Sequence, residues 1–209
     1  MSNSKLENNL SVSKELWDTI TAKKAELFDL PYIKQLDDDS NTMVLKFLNK
    51  NIYVCLEQQA VFIKNEEKYN EERNSLLELC SLLYLAGIKK DFFMTGNLIN
   101  YHSLTSAHFF RGPHEIRFDS LIMKYGRNPE KFINAAKKFE GQLVNMAAEL
   151  TVRFISFPNV PLYYILWAED DEFPARMNVM FDGSIEKIFA ADGIWALINL
   201  VSDRLYMAG

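Results

Sequence analysis

The sequence predicts an α+β protein in which helices pack against a mostly antiparallel sheet. Apolar residues alternate with period two within residues 43–64, which is typical of strands, and three further segments of the last third, 151–157, 162–167 and 175–182, are also expected to be strands. Around these segments, apolar residues recur at helical spacing. A length of 209 residues and a hydrophobic content of 48% are typical of one globular domain. We therefore expect residues 1–10 to be a disordered tail and residues 11–209 to form a single domain.

The N-terminal third is predicted to be a helix followed by a small antiparallel meander. Ser13 is a candidate N-cap for the helix, and Pro31 ends it. The period then changes from helical to two, and residues 49–51 form a candidate turn. The two or three strands of the meander are expected at residues 43–48, 52–57 and 60–64.

The middle third is predicted to be mainly helical. A helix that begins near Asn70 is apolar nearly all round, which indicates a central, buried helix, and Gly87 is its natural C-cap. Residues 88–112 are irregular. A short helix is expected from about residue 113, and Asn128 is the expected N-cap of the next helix.

The last third is predicted to return to strands and to end in a helix. Residues 162–167 are apolar on both faces and should form a central strand, because such a strand is covered on both sides. An acidic turn at 168–174 follows it. Asp192 is the expected N-cap of the closing helix. The two neighbouring strands are expected at residues 151–157 and 175–182.

Charge and targeting signals exclude two broad classes of function. The chain has 23 Lys and Arg against 28 Asp and Glu, for a net charge of -5, and no basic block. Nucleic-acid binding requires a basic face, so we expect no nucleic-acid partner. No signal peptide is visible, and the apolar segments are shorter than the roughly 20 residues of a membrane span. We expect a cytoplasmic protein with no membrane partner.

The two cysteines are predicted to be structural. Cys55 and Cys80 both lie in apolar segments, where thiols act as small hydrophobic side chains. A secreted disulfide scaffold of this size would usually carry more cysteines.

All three histidines fall within thirteen residues, at positions 102, 108 and 114. Their spacing of six and six matches no zinc signature. They could converge on one metal ion, or they could be solvated side chains of an irregular loop.

The stretch from Arg111 to Glu115 is a second candidate for chemistry. Gly112 and Pro113 allow a tight helix start whose free N–H groups could hold an anion, helped by Arg111. His114 could transfer protons together with Glu115. The alternative is a glycine–proline turn that only begins a helix.

The acidic turn is the third candidate. Residues 169–172 are four consecutive carboxylates, and their mutual repulsion must be offset by a hard cation, by arginines or by water. Trp167 and Phe173 flank them, although surface turns seldom need an aromatic residue on each side. The alternative is a solvated acidic turn. Asp182 should lie roughly 20 Å away, at the far end of the hairpin, where it forms a turn with Gly183.

Several segments resemble a bacterial and archaeal family catalogued as domain of unknown function 3786. The resemblance covers about residues 15 to 207, and its most specific part runs from Trp167 to Pro174. It implies a prokaryotic protein with no established activity. Its remaining elements are the segments Phe157-Pro158-Asn159-Val160-Pro161-Leu162, Ile165-Leu166 and Phe181-Asp182, the apolar run Leu82-Leu83-Tyr84-Leu85, the pair Gly112 and His114, and the positions of Gly126 and Gly141.

The motifs and the resemblance together select one set of candidate site residues. The set comprises Arg111, His114, Trp167, Asp170, Asp171, Glu172 and Phe173. We expect a non-catalytic accessory protein that binds a small ligand in an aromatic pocket edged by the acidic turn and His114. The pattern specifies no particular cofactor. Two alternatives are a metal-dependent hydrolase or lyase, with metal held by the carboxylates, and an interaction module whose acidic turn meets a basic protein partner.

Overall fold

The structure is a computed structural model that describes residues 13–37, 39–65, 68–72, 74–146 and 150–208. These residues form two five-stranded antiparallel sheets with helices packed against them. The predicted α+β class is confirmed, but the single sheet that we expected is divided into two. The expected disordered tail at residues 1–10 lies outside the described residues.

Two short helices, not one, open the described chain. They are α1 (Lys14–Ala22) and α2 (Lys24–Phe28), separated at Lys23. Ser13 occupies the N-cap position of α1 as predicted, although its side chain makes no capping hydrogen bond. The buried Trp17 and Ile20 of α1 face the core.

The first sheet is a meander with its strands in sequence order. Leu48 has a φ of 50° in the turn between the second and third strands, so this turn lies at residues 48–49 and not at 49–51 as predicted. The fifth strand replaces the polar start of the predicted helix near Asn70. The strands are β1 (Lys34–Leu36), β2 (Asp39–Phe47), β3 (Lys50–Cys55), β4 (Ala60–Asn65) and β5 (Lys68–Glu72).

The buried helix α3 (Ser75–Gly87) packs against α1 and α6. Asn74 caps its N-terminus by accepting a hydrogen bond from the backbone N–H of Leu77 (2.9 Å). Gly87 is the last helical residue and not the C-cap that we predicted. A Cβ atom at Gly87 would lie 2.0 Å from the backbone oxygen of Ile188, so this glycine permits close contact between two backbone segments.

Lys23 ties the N-terminal helices to the end of α3. Its ammonium group donates to the backbone oxygens of Leu85 (3.2 Å), Ala86 (2.7 Å) and Ile88 (3.2 Å). Carbonyls at a helix C-terminus lack partners within the helix, so a cation stabilises them. Burial lowers the pKa of Lys23.

Residues 88–141 hold strand β6 (Leu98–Asn100), an edge strand of the second sheet, together with helix α4 (Asp119–Tyr125) and helix α5 (Pro129–Lys137). The predicted helix start at residue 113 is a separate 3-10 turn, and α4 begins six residues later. Asn128 caps α5 as predicted, accepting from the N–H of Lys131 (3.1 Å).

The second sheet has the strand order β6-β10-β9-β8-β7. Strand β9 is central, as its apolar sequence predicted. The closing helix α6 (Ala191–Met207) has Ala190 at its N-cap, so Asp192 lies in the first turn and is not the cap that we expected. The remaining strands of this sheet are β7 (Gln142–Val144), β8 (Leu150–Phe157), β9 (Val160–Trp167) and β10 (Arg176–Asp182).

One core is shared by both sheets, with buried residues from α1, β2 and β3 beside those of the second sheet and of helices α3 to α6. We call the sheet face that carries Tyr164 the inner face. There Phe118, next to α4, meets the Tyr164 ring edge-on at 6.0 Å, and the Tyr164 hydroxyl donates to the Ile198 oxygen of α6 (3.0 Å). Cys55 and Cys80 are buried free thiols, as predicted. None of the helices described is long and apolar enough to span a bilayer.

We expect Gly87→Ala to destabilise the protein by at least about 2 kcal/mol, because the added methyl group would overlap the Ile188 backbone. Urea denaturation followed by circular dichroism measures the change. Gly183→Ala is the matched control, since its Cβ would meet its nearest neighbour at 3.5 Å, an ordinary contact. Equal losses in the two variants would contradict the close contact at Gly87.

Candidate functional site

The acidic turn between β9 and β10 is exposed and ordered by its own hydrogen bonds. We call residues 169–173 the hairpin tip. The Asp170 carboxylate accepts the backbone N–H groups of Phe173 (2.7 Å) and Glu172 (2.8 Å), and these bonds lower the pKa of Asp170. Asp171 and Glu172 are exposed, and the Phe173 side chain is 59% exposed.

The base of the hairpin tip is attached to the end of α4. The Glu169 N–H donates to the Gly126 oxygen (2.9 Å), and Arg127 donates its Nε–H to both carboxylate oxygens of Glu169 (3.1 and 3.0 Å). The hydrogen bond from Arg127 lowers the pKa of Glu169. An arginine therefore offsets part of the acidic charge, which was one of the expected compensations. The sequence did not single out Arg127, because it lies 42 residues from its partner.

Trp167 lies next to the hairpin tip on the outer face of β9. It is half-buried, and the Arg176 guanidinium lies over its ring, 5.7 Å from the centroid. Trp167 and Arg176 are direct cross-strand partners, so the pairing of β9 with β10 positions this cation–π contact.

His114 belongs to a different surface. It is half-buried, stacks on Phe109 with centroids 4.3 Å apart, and meets the Trp195 ring edge-on at 5.8 Å. Arg111, His102 and His108 lie close to His114 in sequence, and all three are exposed. We call this group the aromatic cluster; its members are Tyr101, Phe109, Phe110, His114 and Trp195.

The structure does not bring the seven candidate residues to one place. The aromatic cluster packs on Trp195 of α6. The hairpin tip connects through Gly126 to the end of α4, where the Tyr125 hydroxyl donates to the Leu205 oxygen (2.6 Å). Trp195 and Leu205 are ten residues apart, about 15 Å along α6. His114 and Arg111 thus belong to one surface. The other five candidate residues, which lie between positions 167 and 173, belong to another.

The described residues contain no group of three or more His, Cys, Asp or Glu side chains that could hold a metal ion. The metal-dependent hydrolase or lyase that the sequence left open therefore has no geometric support in this part of the chain. Of the four carboxylates of the turn, Glu169 pairs with Arg127, Asp170 accepts backbone N–H groups, and Asp171 and Glu172 are exposed.

Asp182 does more than form the turn with Gly183 that the sequence predicted. It is 3% exposed and accepts four hydrogen bonds, from the Thr95 N–H (3.0 Å) and hydroxyl (2.9 Å), the Gly96 N–H (2.6 Å) and the Ser184 N–H (2.9 Å). Burial alone would raise the pKa of Asp182, but bonds from Ser184 and Thr95 outweigh it and hold the pKa at about 2.

The three bonds from Thr95 and Gly96 anchor the segment that we call the pinned loop, residues 89–97. It presents Phe93 (65% exposed) and Met94 (48% exposed) at the surface, and the Lys187 ammonium lies 4.5 Å from the Phe93 ring centroid. No sequence motif marks the pinned loop, because Asp182 follows Thr95 by 87 residues.

We expect Asp182→Asn to lower the free energy of unfolding by about 2 kcal/mol at pH 7. The folded-state pKa lies below the unfolded value of 3.8, so the carboxylate stabilises the fold above about pH 4 and loses this effect as the pH falls toward 2. The difference from wild type should therefore shrink over that range, as measured by urea denaturation. Asp171→Asn is the exposed control; a pH-independent loss in Asp182→Asn would contradict the assignment.

The comparison with known proteins agrees with the family resemblance noted in the sequence, whose most specific part includes the hairpin tip. Residues 33–204 match the family model described as domain of unknown function (DUF3786). No curated protein and no solved structure matches the chain. The matched residues run from just before β1 into α6 and include both sheets, the hairpin tip and the aromatic cluster. The chain therefore belongs to the DUF3786 family.

Proposed function

We propose that this protein is a non-catalytic accessory protein that binds a protein partner through its hairpin tip. The observation that carries the proposal is the exposed Phe173 at a turn that the hydrogen bonds of Asp170 order. An aromatic side chain presented on an ordered turn can serve as the anchor of an interface, because its ring enters a pocket with little loss of conformational freedom. Asp170, Asp171 and Glu172 surround it with negative charge.

The geometry of the tip suits recognition by a basic surface. Phe173 can enter an apolar pocket as an anchor, while Asp171 and Glu172 meet lysine or arginine side chains at its rim. The hydrogen bonds of Asp170 and the ion pair of Glu169 with Arg127 already order the backbone. Binding then costs less conformational entropy than binding by a flexible loop.

A small ligand at the aromatic cluster, the function that the sequence favoured, is the second candidate. One observation favours it: Nε1 of Trp195 is buried and has no hydrogen-bond partner among the described residues. Against it, the cluster's rings pack against one another at centroid distances of 4.3 to 5.8 Å. A flat ligand would have to displace contacts that the rings already make.

The proposal predicts a specific contact at position 173. We expect a photo-activatable benzoylphenylalanine placed at Phe173 to cross-link one protein species in intact producing cells, as read by mass spectrometry of the adduct. Adding Asp171→Lys and Glu172→Lys in the same chain should reduce the yield at least about tenfold, because the charges that meet the partner are reversed.

The same photo-reactive group at Lys50 is the control, since Lys50 is exposed at the end of β3, in the other sheet. Absence of an adduct at 173, or equal adducts at both positions, would overturn the proposed function. An adduct that is unaffected by the charge reversals would show that the carboxylates do not contribute to the contact.

A further inference from the structure

A cavity of about 280 Å³ lies between helix α2 and the segment that follows α3. Three of its lining residues, Leu27, Leu30 and Ile88, are apolar and buried, so they form its floor. Pockets that bind small organic ligands have volumes of about 300 to 1,000 Å³ and are lined mainly by apolar side chains. The size and floor of this cavity therefore suit a ligand about as large as one amino acid.

Lys23 forms the wall of the cavity next to the end of α3. Its ammonium group already donates to the backbone oxygens of Leu85, Ala86 and Ile88. An ammonium group has three N–H donors, so these bonds use all of them. Lys23 thus holds the two sides of the cavity together and adds positive charge to it, while direct contact with a ligand falls to other side chains.

An ion pair joins the two elements that border the cavity. Lys90, from the segment after α3, pairs with Asp29, at the end of α2, at 3.5 Å. Both residues line the cavity. Each neutralises the other, so the pair leaves no net charge for a ligand.

Two further charges, of opposite sign, line the cavity and are exposed at its mouth: Glu26 and Lys89. Burial lowers the pKa of Lys23, the carboxylate of Glu26 opposes this shift, and the ammonium group of Lys89 adds to it. Both groups therefore lie within electrostatic range of the same lysine. Neither forms an ion pair with another residue in the described part of the chain. The mouth offers a ligand one carboxylate and one ammonium group.

We propose that this cavity binds a free apolar α-amino acid in its zwitterionic form. The ligand carboxylate meets Lys89, the ligand ammonium group meets Glu26, and the apolar side chain lies on the floor of the cavity. A simple carboxylic acid would be repelled by Glu26, and a simple amine by Lys89 and Lys23, so the charges favour a ligand that carries both signs. The cavity shares no residue with the hairpin tip, so this inference is independent of the proposed function.

The binding should be weak. Ion pairs made by exposed side chains contribute little each, and most of the affinity must come from the apolar floor. For a ligand of about twelve non-hydrogen atoms, such as L-phenylalanine, we expect a dissociation constant of about 1 mM.

A titration of the full chain with L-phenylalanine up to about 20 mM, followed by nitrogen–proton correlation NMR, tests the proposal. The amide signals of residues 26–30 and 88–90 should shift and reach saturation. Hydrocinnamate lacks the ammonium group of phenylalanine, and phenethylamine lacks its carboxylate. Each should bind at least about threefold more weakly than phenylalanine, because each leaves one charge at the mouth without its partner.

Charge exchange at the mouth tests the contacts themselves. Lys89→Glu and Glu26→Lys should each weaken the binding of phenylalanine at least about tenfold, because an attraction becomes a repulsion. The two substitutions together should restore it, since the zwitterion can bind with its two charges reversed. Glu130→Lys with Lys131→Glu is the matched control, because both residues are exposed on α5, which does not line the cavity. It should bind as the wild type does.

Three results would overturn the proposal. The first is the absence of a saturable shift up to about 20 mM phenylalanine, and the second is equal affinity for phenylalanine and its two analogues. The third is a set of saturable shifts confined to the aromatic cluster, which would place the amino acid in the other candidate pocket. Single variants that bind like the wild type would contradict the contacts with Lys89 and Glu26, and with them the preference for a zwitterion.

Discussion

The second sheet depends on β9, which is buried in its middle and paired along its length with β8 and β10. Tyr164 at its centre is completely buried, and its hydroxyl bonds both the Ile198 oxygen and the Ser202 hydroxyl of α6 (3.0 Å each). A buried hydroxyl without a partner would be costly, so these bonds determine where α6 lies on the sheet. The hairpin tip, the outer face and the pinned loop all take their positions from this strand and its neighbour.

The two sheets share one core, in which Phe47 of β2 meets Phe157 of β8 with ring centroids 5.2 Å apart. The Leu48 N–H, in the β2–β3 turn, donates to the Ser156 oxygen of β8 (2.9 Å). On the other side of the core, Gly87 allows the end of α3 to approach Ile188, and Tyr84 stacks on Phe157 with centroids 4.8 Å apart. Helix α3 therefore contacts both sheets, which explains why its sequence is apolar nearly all round.

The hairpin tip and the pinned loop use carboxylates in the same way. Asp170 orders the tip, and Asp182 anchors the pinned loop, each by accepting backbone N–H groups. Each ordered segment presents an exposed phenylalanine, Phe173 or Phe93. Ordered presentation of an apolar side chain lowers the entropy cost of binding, which is the property that the proposed contact at the hairpin tip uses.

Local pattern was sufficient to predict much of the fold and the composition of the turn. The period-two alternation predicted β2, β3 and β4, and the apolar segments of the last third predicted β8, β9 and β10. Strand β9 was correctly placed at the centre because its residues are apolar on both faces. The short strands β1, β6 and β7 were not predicted. The N-cap at Asn128 was also predicted correctly, because a cap depends only on residues about three positions apart. The helix start predicted near Asn70 was wrong. Residues 68–72 form strand β5 because they pair with β4, although their polar sequence carries no strand pattern.

The sequence by itself determined the α+β class, the central strand and the acidic turn with its flanking aromatics, because each is set by neighbouring residues. The tertiary structure alone decided that the strands divide into two sheets, that His114 packs on Trp195 away from the hairpin tip, and that Asp182 holds a loop 87 residues earlier in the chain. These features depend on contacts between segments far apart in sequence. The free energy of such contacts comes from packing and from the desolvation of buried polar groups, which no local pattern encodes.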